Sequence, residues 1–190
     1  MNEFIETFMH LHEKYQQAKL VLVGPYEEHL DPVSELTLNC IKANPAIEAV
    51  GRKFGDDLLV EYMKSDCHVL PSYREGFPNT PMEAGALGLP NIVKDINGAR
   101  EIISLSPALP HTEGAFDDVV QSSGIKICDN GIIVPPRTVQ PLYDAMARIL
   151  TDDVHREKIK KNARPMIESR FEKGFVRKCL YNFYVEIMKE

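Results

Sequence analysis

The sequence predicts one α/β domain, a Rossmann-like parallel sheet with helices on both faces. Short apolar runs bounded by Gly or Pro alternate with amphipathic helical segments along most of the 190 residues. That alternation is typical of parallel strands buried on both faces. The hydrophobic fraction of 44% is enough for one sizeable core. We therefore treat residues 1–190 as a single domain.

The predicted elements follow one another in a regular order. The N-terminal segment has apolar residues at helical spacing, and so does the segment from Val139 to the C-terminus. Between them, helices are predicted to begin at Asp31-Pro32, at Asp56 and after Thr80. Strands are predicted over residues 20–23, 47–50, 66–70, 91–94, 125–127 and 132–134. Several Pro and Gly residues make residues 104–129 an irregular insertion.

Composition excludes several classes of function. The net charge of −6 argues against nucleic acid or an anionic membrane surface as the main partner, because both favour a basic face. No apolar run reaches the roughly 20 residues that span a bilayer, so no transmembrane segment is expected. The cysteines show neither CxxC spacing nor a His-rich neighbourhood. This predicts reduced thiols in a cytoplasmic protein without structural zinc.

The densest chemical pattern is a loop and helix start over residues 71–90. Thr80 suits the N-cap, Pro81 the first helical position, and Glu83 the carboxylate of a capping box. The amides of residues 82–84 would then be free of helical partners and would stand at the positive end of the helix dipole. The sequence thus predicts an anion site at this helix start.

Two carboxylates, Glu75 and Glu83, flank the predicted anion site. Carboxylates repel phosphate but accept hydrogen bonds from hydroxyl groups, so the ligand should be part phosphate and part polyol. In parallel α/β sheets, ligands bind at the carboxyl ends of the strands. Four segments follow predicted strands, and we expect them to converge on one rim: Gly24, residues 51–53 with Arg52 and Lys53, residues 73–80, and residues 96–100.

Together these segments resemble the C-terminal, donor-binding half of family 4 glycosyltransferases, the retaining GT-B enzymes that use nucleotide-diphosphate sugars. The centre of the resemblance is an E-x7-E element, present as Glu75 to Glu83. The resemblance covers nearly the whole chain. The other matching segments, in the order and approximate spacing of the family, are Gly88-Leu89-Pro90, Asn97-Gly98-Ala99-Arg100-Glu101 and Asn130-Gly131-Ile132-Ile133-Val134-Pro135-Pro136.

The resemblance implies a role for each candidate residue. Glu75 would contact the donor sugar near the reacting carbon as the catalytic residue, and Glu83 would hold the ribose hydroxyls. The base would lie near Arg52 and Lys53, while Gly24 leaves room for close approach of the ligand. The donor would be a UDP-, GDP- or ADP-sugar, with no cofactor and no metal. The diphosphate and sugar would rest on the backbone of Gly76, Phe77, Pro78, Asn79 and Thr80.

The sequence also departs from the family pattern. Family members begin this half with a strand and a loop whose Arg and Lys clamp the diphosphate, and this sequence starts at the following helix. They also carry an N-terminal, acceptor-binding domain that has no counterpart here. The resemblance therefore implies a missing first strand, a missing N-terminal domain as partner, and an incomplete enzyme.

Each assignment has a structural alternative. Glu83 could serve only the capping box, Glu75 could pair with Arg74 in a solvated loop, and Arg52 and Lys53 could be solvated charge. For the whole chain, a hexosyltransferase domain acting on a glycan or lipid-linked acceptor competes with a non-catalytic nucleotide-sugar-binding module. A glycosidase is less favoured, because its carboxyl groups must lie roughly 5–5.5 Å or 6.5–9.5 Å apart across the scissile bond.

Overall fold

The computed structural model describes residues 1–25, 32–103 and 124–189, which form alternating helices and strands. Most of the insertion predicted over residues 104–129 therefore lies outside the described residues. In chain order the elements are α1 (Asn2–Lys14), β1 (Leu20–Val23), α2 (Glu35–Ala43), β2 (Ile47–Gly51), α3 (Gly55–Met63), β3 (His68–Leu70), α4 (Asn79–Ala86), β4 (Asn91–Lys94), β5 (Lys126–Cys128), β6 (Gly131–Val134), α5 (Gln140–Thr151), α6 (Asp153–Phe171) and α7 (Lys173–Ile187).

The strands form two sheets where the sequence predicted one. β1 pairs with β2, and the second sheet has the order β3-β4-β6-β5. Every pair is parallel except β5 with β6. That pair is antiparallel because only two residues, Asp129 and Asn130, separate the two strands, and a parallel pair needs a much longer crossover. Among the described strands, none bridges β1 and β3, so the sheet divides there.

Helices cover both faces of the second sheet, as predicted. Ile92 and Ile132 belong to one core cluster, which includes residues of α1 and α5 such as Phe8 and Leu142. Val93, which faces the other way along β4, belongs to a second cluster with residues of α6. This division follows from the alternation of side chains along a strand, which sends successive residues to opposite faces.

The predicted start of α2 is wrong. The helix begins at Glu35, and Ser34 is its N-cap, with the Ser34 hydroxyl accepting a hydrogen bond from the Thr37 amide at 3.2 Å. The prediction placed the start at Asp31-Pro32, and Asp31 lies outside the described residues. Ser34 caps the helix because its side chain satisfies an amide that the first turn leaves without a partner.

Several apolar side chains remain exposed. The described part of α7 contains no buried residue, although it carries Phe175, Leu180 and Ile187. In α3, only Tyr62 is buried, while Phe54, which precedes the helix, and Met63 are exposed. Within residues 1–25, 32–103 and 124–189, no helix combines the length and the apolarity needed to cross a bilayer.

Candidate functional site

Three loops meet at the carboxyl ends of β3, β4 and β6. These strands are neighbours and parallel, so the segments that follow them leave the sheet at one edge. The loop after β4 comes so close to the loop after β3 that a Cβ atom on Gly98 would overlap the Gly76 carbonyl oxygen. From the loop after β6, the Arg137 guanidinium lies 5.9 Å from the centre of the Tyr73 ring. The convergence predicted for this part of the rim is therefore observed.

The predicted helix cap at Thr80 is wrong. The helix α4 begins at Asn79, Pro78 is its N-cap, and no side chain caps it. Thr80 and Pro81 are therefore the second and third helical residues. Because proline has no amide hydrogen, Pro78 and Pro81 remove two of the four donors that a helix start normally offers. Only the amides of Asn79 and Thr80 remain to face an anion, instead of those of residues 82–84.

Glu83 does not form a capping box, because it is the fifth residue of α4 and the box requires the third. Its side chain is exposed, and its Oε2 accepts a hydrogen bond of 3.0 Å from the hydroxyl of Tyr62. Tyr62 lies on α3 and is buried against Ala84 and Leu89. The carboxylate is thus held by a neighbouring helix and leaves its own helix start uncapped.

A buried amide connects the strands to the start of α4. Asn91, the first residue of β4, donates from Nδ2 to the carbonyl oxygen of Pro81 at 3.1 Å. Its Oδ1 lies 2.7 Å from Nδ1 of His68. Because the Asn91 nitrogen is already directed at Pro81, its oxygen accepts from the ring, which makes His68 Nδ1 the donor. This bridge fixes the first turn of α4 relative to β3 and β4.

Two titratable groups at the opposite, amino-terminal end of β3, His68 and Cys67, are not poised for acid-base or nucleophilic chemistry. Burial lowers the pKa of His68 to about 4, against an opposing effect of its bond to Asn91, so the ring is neutral at pH 7. Burial, reinforced by Asp66, raises the pKa of the Cys67 thiol to about 12. Both residues therefore act as half-buried packing groups.

Lys94, the last residue of β4, is a buried cation that the sequence interpretation treated only as part of a strand. Its Nζ donates to the carbonyl oxygen of Thr138 at 3.3 Å. Burial lowers its pKa, and the negative charge of Glu3 on α1 partly offsets that shift. This lysine therefore connects β4 to the loop after β6 within the core.

The remaining predicted residues separate into two groups. Glu75 is half-buried in the loop after β3, and no ion pair joins it to Arg74 in the described part of the chain. In the same loop, the Phe77 ring lies against Phe171, 5.6 Å between centres. On the other sheet, the Gly24 amide donates to the carbonyl oxygen of Gly51 at 2.9 Å, which brings the ends of β1 and β2 together.

The basic pair after β2 is not joined to the two glutamates. The Arg52 guanidinium lies 5.9 Å from the centre of the Phe54 ring, and Lys53 is half-buried. Among the described residues, no hydrogen bond or ion pair connects Arg52 or Lys53 to Glu75 or Glu83. Nor do the described residues contain a group of three or more metal-ligating side chains. The expectation of a metal-free site stays a prediction.

Comparisons with known proteins identify the family. A family model described as glycosyl transferases group 1 matches residues 1–152. The chain belongs to this family. The capsular polysaccharide biosynthesis glycosyltransferase CapM of Staphylococcus aureus is 25% identical over 190 residues, which are 100% of this glycosyltransferase chain and 43% of CapM. The chain thus spans less than half the length of that relative.

Solved structures define the fold of this glycosyltransferase chain. The C-terminal domain of the group 1 family glycosyl transferase LpcC from Francisella tularensis matches with a TM-score of 0.70 and 20% identity, over 90% of this chain and 78% of that one. Anabaena HepE in complex with UDP matches with a TM-score of 0.68 and 19% identity, over 93% and 44%. The predicted fold, the C-terminal half of a GT-B glycosyltransferase, is confirmed.

Three residues that shape the site, Arg137, Tyr62 and Asn91, were not assigned to it from the sequence. Arg137, with φ of +58°, was a possible signal, because a basic residue directly after a Pro-Pro strand stop lies at the rim. Gly98 belongs to residues 96–100, which the sequence did place on this rim, but its contact with the loop after β3 has no local signature. Tyr62 appeared only as part of an apolar helix face, and Asn91 only as a strand residue.

Proposed function

We propose that this chain is the donor-binding domain of a retaining glycosyltransferase that transfers a hexose from a nucleotide-diphosphate sugar. The observation that carries the proposal is the loop and helix start from Glu75 to Glu83 at the edge where three strands end, in a chain of glycosyl transferases group 1. The acceptor would be a glycan, in line with the capsular polysaccharide in the name of CapM, or a lipid-linked sugar. UDP is the first nucleotide to test because HepE was solved with it.

In this proposal, different residues of the rim bind different parts of the donor, according to their charge and their hydrogen-bonding groups. Glu83 receives the ribose hydroxyls, and the amides of Asn79 and Thr80 face the diphosphate at the positive end of α4. Glu75 contacts the donor sugar beside the reacting carbon. The backbone of Gly76, Phe77 and Pro78 lines the sugar and phosphates, while Gly24, Arg52 and Lys53 lie on the base side.

Catalysis in this proposal comes from fixed dipoles. Retaining transfer develops positive charge on the sugar and negative charge on the departing diphosphate. Preorganised amides that face the leaving group stabilise the second charge without reorganisation, and the Glu75 carboxylate stabilises the first. We assign no protein nucleophile, no cofactor and no metal. Acceptor binding would come from a separate N-terminal domain, and the reaction would take place in the cytoplasm.

Calorimetric titration of UDP, GDP and ADP, followed by their sugars, tests the proposal. We expect one of the nucleotides to bind and Glu83→Ala to weaken its binding. Glu168→Ala, which removes another exposed carboxylate, on α6, should leave binding unchanged. No binding by any of the three nucleotides would exclude the donor-binding role. Transfer of labelled sugar to an acceptor separates a transferase from a non-catalytic binding module, and hydrolysis of aryl glycosides that depends on Glu75 would indicate a glycosidase.

A further inference from the structure

We propose that Tyr62 is a positioning residue of the donor site, whose hydroxyl holds the Glu83 carboxylate in the orientation that receives the ribose. This inference rests on the proposed function, because it takes Glu83 as the ribose ligand. It assigns a role to a residue on a different helix, 21 positions away in the sequence. It also connects α3, which follows the base-side loop, to the helix that carries the ribose carboxylate.

The contact joins a buried ring to an exposed carboxylate. Tyr62 retains only 9% of its accessible surface, and its ring packs with Ala84 and Leu89. Its hydroxyl donates to Glu83 Oε2 at 3.0 Å. An ionised carboxylate has about four lone-pair sites, so one bond from Tyr62 leaves capacity for two ribose hydroxyls. The bond therefore orients Glu83 without saturating it.

The direction of this hydrogen bond is fixed by the environment of the phenol. Burial raises the pKa of Tyr62, and the adjacent Glu83 charge and hydrogen bond raise it further. The phenol therefore keeps its proton throughout the neutral range, so the hydroxyl remains a donor. Glu83 can then only accept, which leaves its remaining lone pairs for hydroxyl groups of a ligand.

Packing alone does not require the hydroxyl. Tyr62 is the only buried residue of α3, and a phenylalanine ring would fill the same space against α4. The neighbouring apolar residues Leu59, Val60 and Met63 are exposed, so α3 is anchored by the Tyr62 ring with the half-buried Leu58 beside it. Removing only the oxygen atom thus tests the orientation of Glu83 while the anchor remains in place.

The expected effect follows from the entropy of ordering one side chain. A glutamate that is not held in place must be immobilised when the ligand binds, at a cost that corresponds to about two- to tenfold in affinity. We expect Tyr62→Phe to weaken UDP binding by that factor. Because the effect acts through the ribose hydroxyls, the affinity for 2′,3′-dideoxyuridine diphosphate should not change.

The experiment titrates both nucleotides into the wild-type protein, Tyr62→Phe, Glu83→Ala and the double variant, and records thermal denaturation of each. Tyr143→Phe, a half-buried tyrosine on α5, is the matched control and should bind both nucleotides like the wild type. Since Tyr62 acts through Glu83, adding Tyr62→Phe to Glu83→Ala should cause no further loss of affinity.

The outcomes separate the inference from the proposed function. If the wild type binds none of the nucleotides, or if Glu83→Ala binds UDP as well as the wild type, the ribose assignment fails and the inference fails with it. If Glu83→Ala weakens binding but Tyr62→Phe does not, only the inference is overturned. If Tyr62→Phe loses the same factor in affinity for UDP and for its dideoxy analogue, the inference is also overturned, since that result would indicate a structural effect.

Discussion

Replacing Gly98 with alanine tests whether contact between two loops shapes the donor site. Gly98 has φ of +80°, a backbone conformation that costs an L-residue about 1–2 kcal/mol. The added Cβ would overlap the Gly76 carbonyl oxygen and lie 2.9 Å from the Gly76 carbonyl carbon and 3.2 Å from the Phe77 Cα. Because these neighbours are backbone atoms, the loop after β3 has to move.

The matched control is Gly88→Ala. Gly88 has nearly the same φ, +79°, but the nearest atom to its added Cβ is the Lys160 carbonyl oxygen at 3.7 Å, an ordinary contact. The control therefore carries the backbone strain without the overlap. A cost of about 1–2 kcal/mol should lower the Tm of a domain of this size by roughly 2–8 °C. The Tm of Gly98→Ala should be lower than that of Gly88→Ala, because the overlap adds to the backbone strain.

The assay combines thermal denaturation with UDP calorimetry on both variants. A loop displacement of about 1 Å can reduce catalysis by roughly 100-fold, and we expect UDP affinity of Gly98→Ala to fall by at least about tenfold. Gly88→Ala should bind UDP like the wild type. If the two variants have the same Tm and the same affinity, the contact between the loops does not support the site and the reasoning is refuted.

Three further predictions concern stability. The pKa of His68 is about 4 in the folded protein and 6.5 when unfolded, so the unfolded state binds its proton first and the free energy of unfolding should fall by about 3 kcal/mol between pH 7 and 4. Urea titrations at the two pH values should show this loss of unfolding free energy in the wild type, and His68→Asn should lack it. Asn91→Leu should lower the free energy of unfolding by about 2–4 kcal/mol, because it leaves His68 and the Pro81 carbonyl without their partner. A loss below about 1 kcal/mol in urea titrations would show that the Asn91 hydrogen bonds do not stabilise the fold. Ser34→Ala should lower the free energy of unfolding by about 1 kcal/mol, because it removes the acceptor of the Thr37 amide at the start of α2. An unchanged Tm would show that this cap does not stabilise the protein.

The strands could be predicted well because their signals are local. β1 and β4 lie where the sequence placed them, since a short apolar run bounded by turn residues is sufficient to indicate a buried strand. The helix starts were less predictable. Ser34 and Asp31-Pro32 both carry cap-forming residues, and the local pattern does not distinguish between them. At α4, Thr80 has a favourable cap side chain, but the helix extends two residues further towards its N-terminus.

Sequence alone determined the family, the alternation of strands and helices, and the spacing between Glu75 and Glu83. Each of these features depends on patterns of residues that are close together along the chain. Only the tertiary structure decided which groups hold that site. Tyr62 meets Glu83 across 21 positions, and His68 meets Asn91 across 23. Gly98 meets Gly76 because β3 and β4 are adjacent in the sheet. Such contacts depend on the packing of separate elements, which no local pattern of residues specifies.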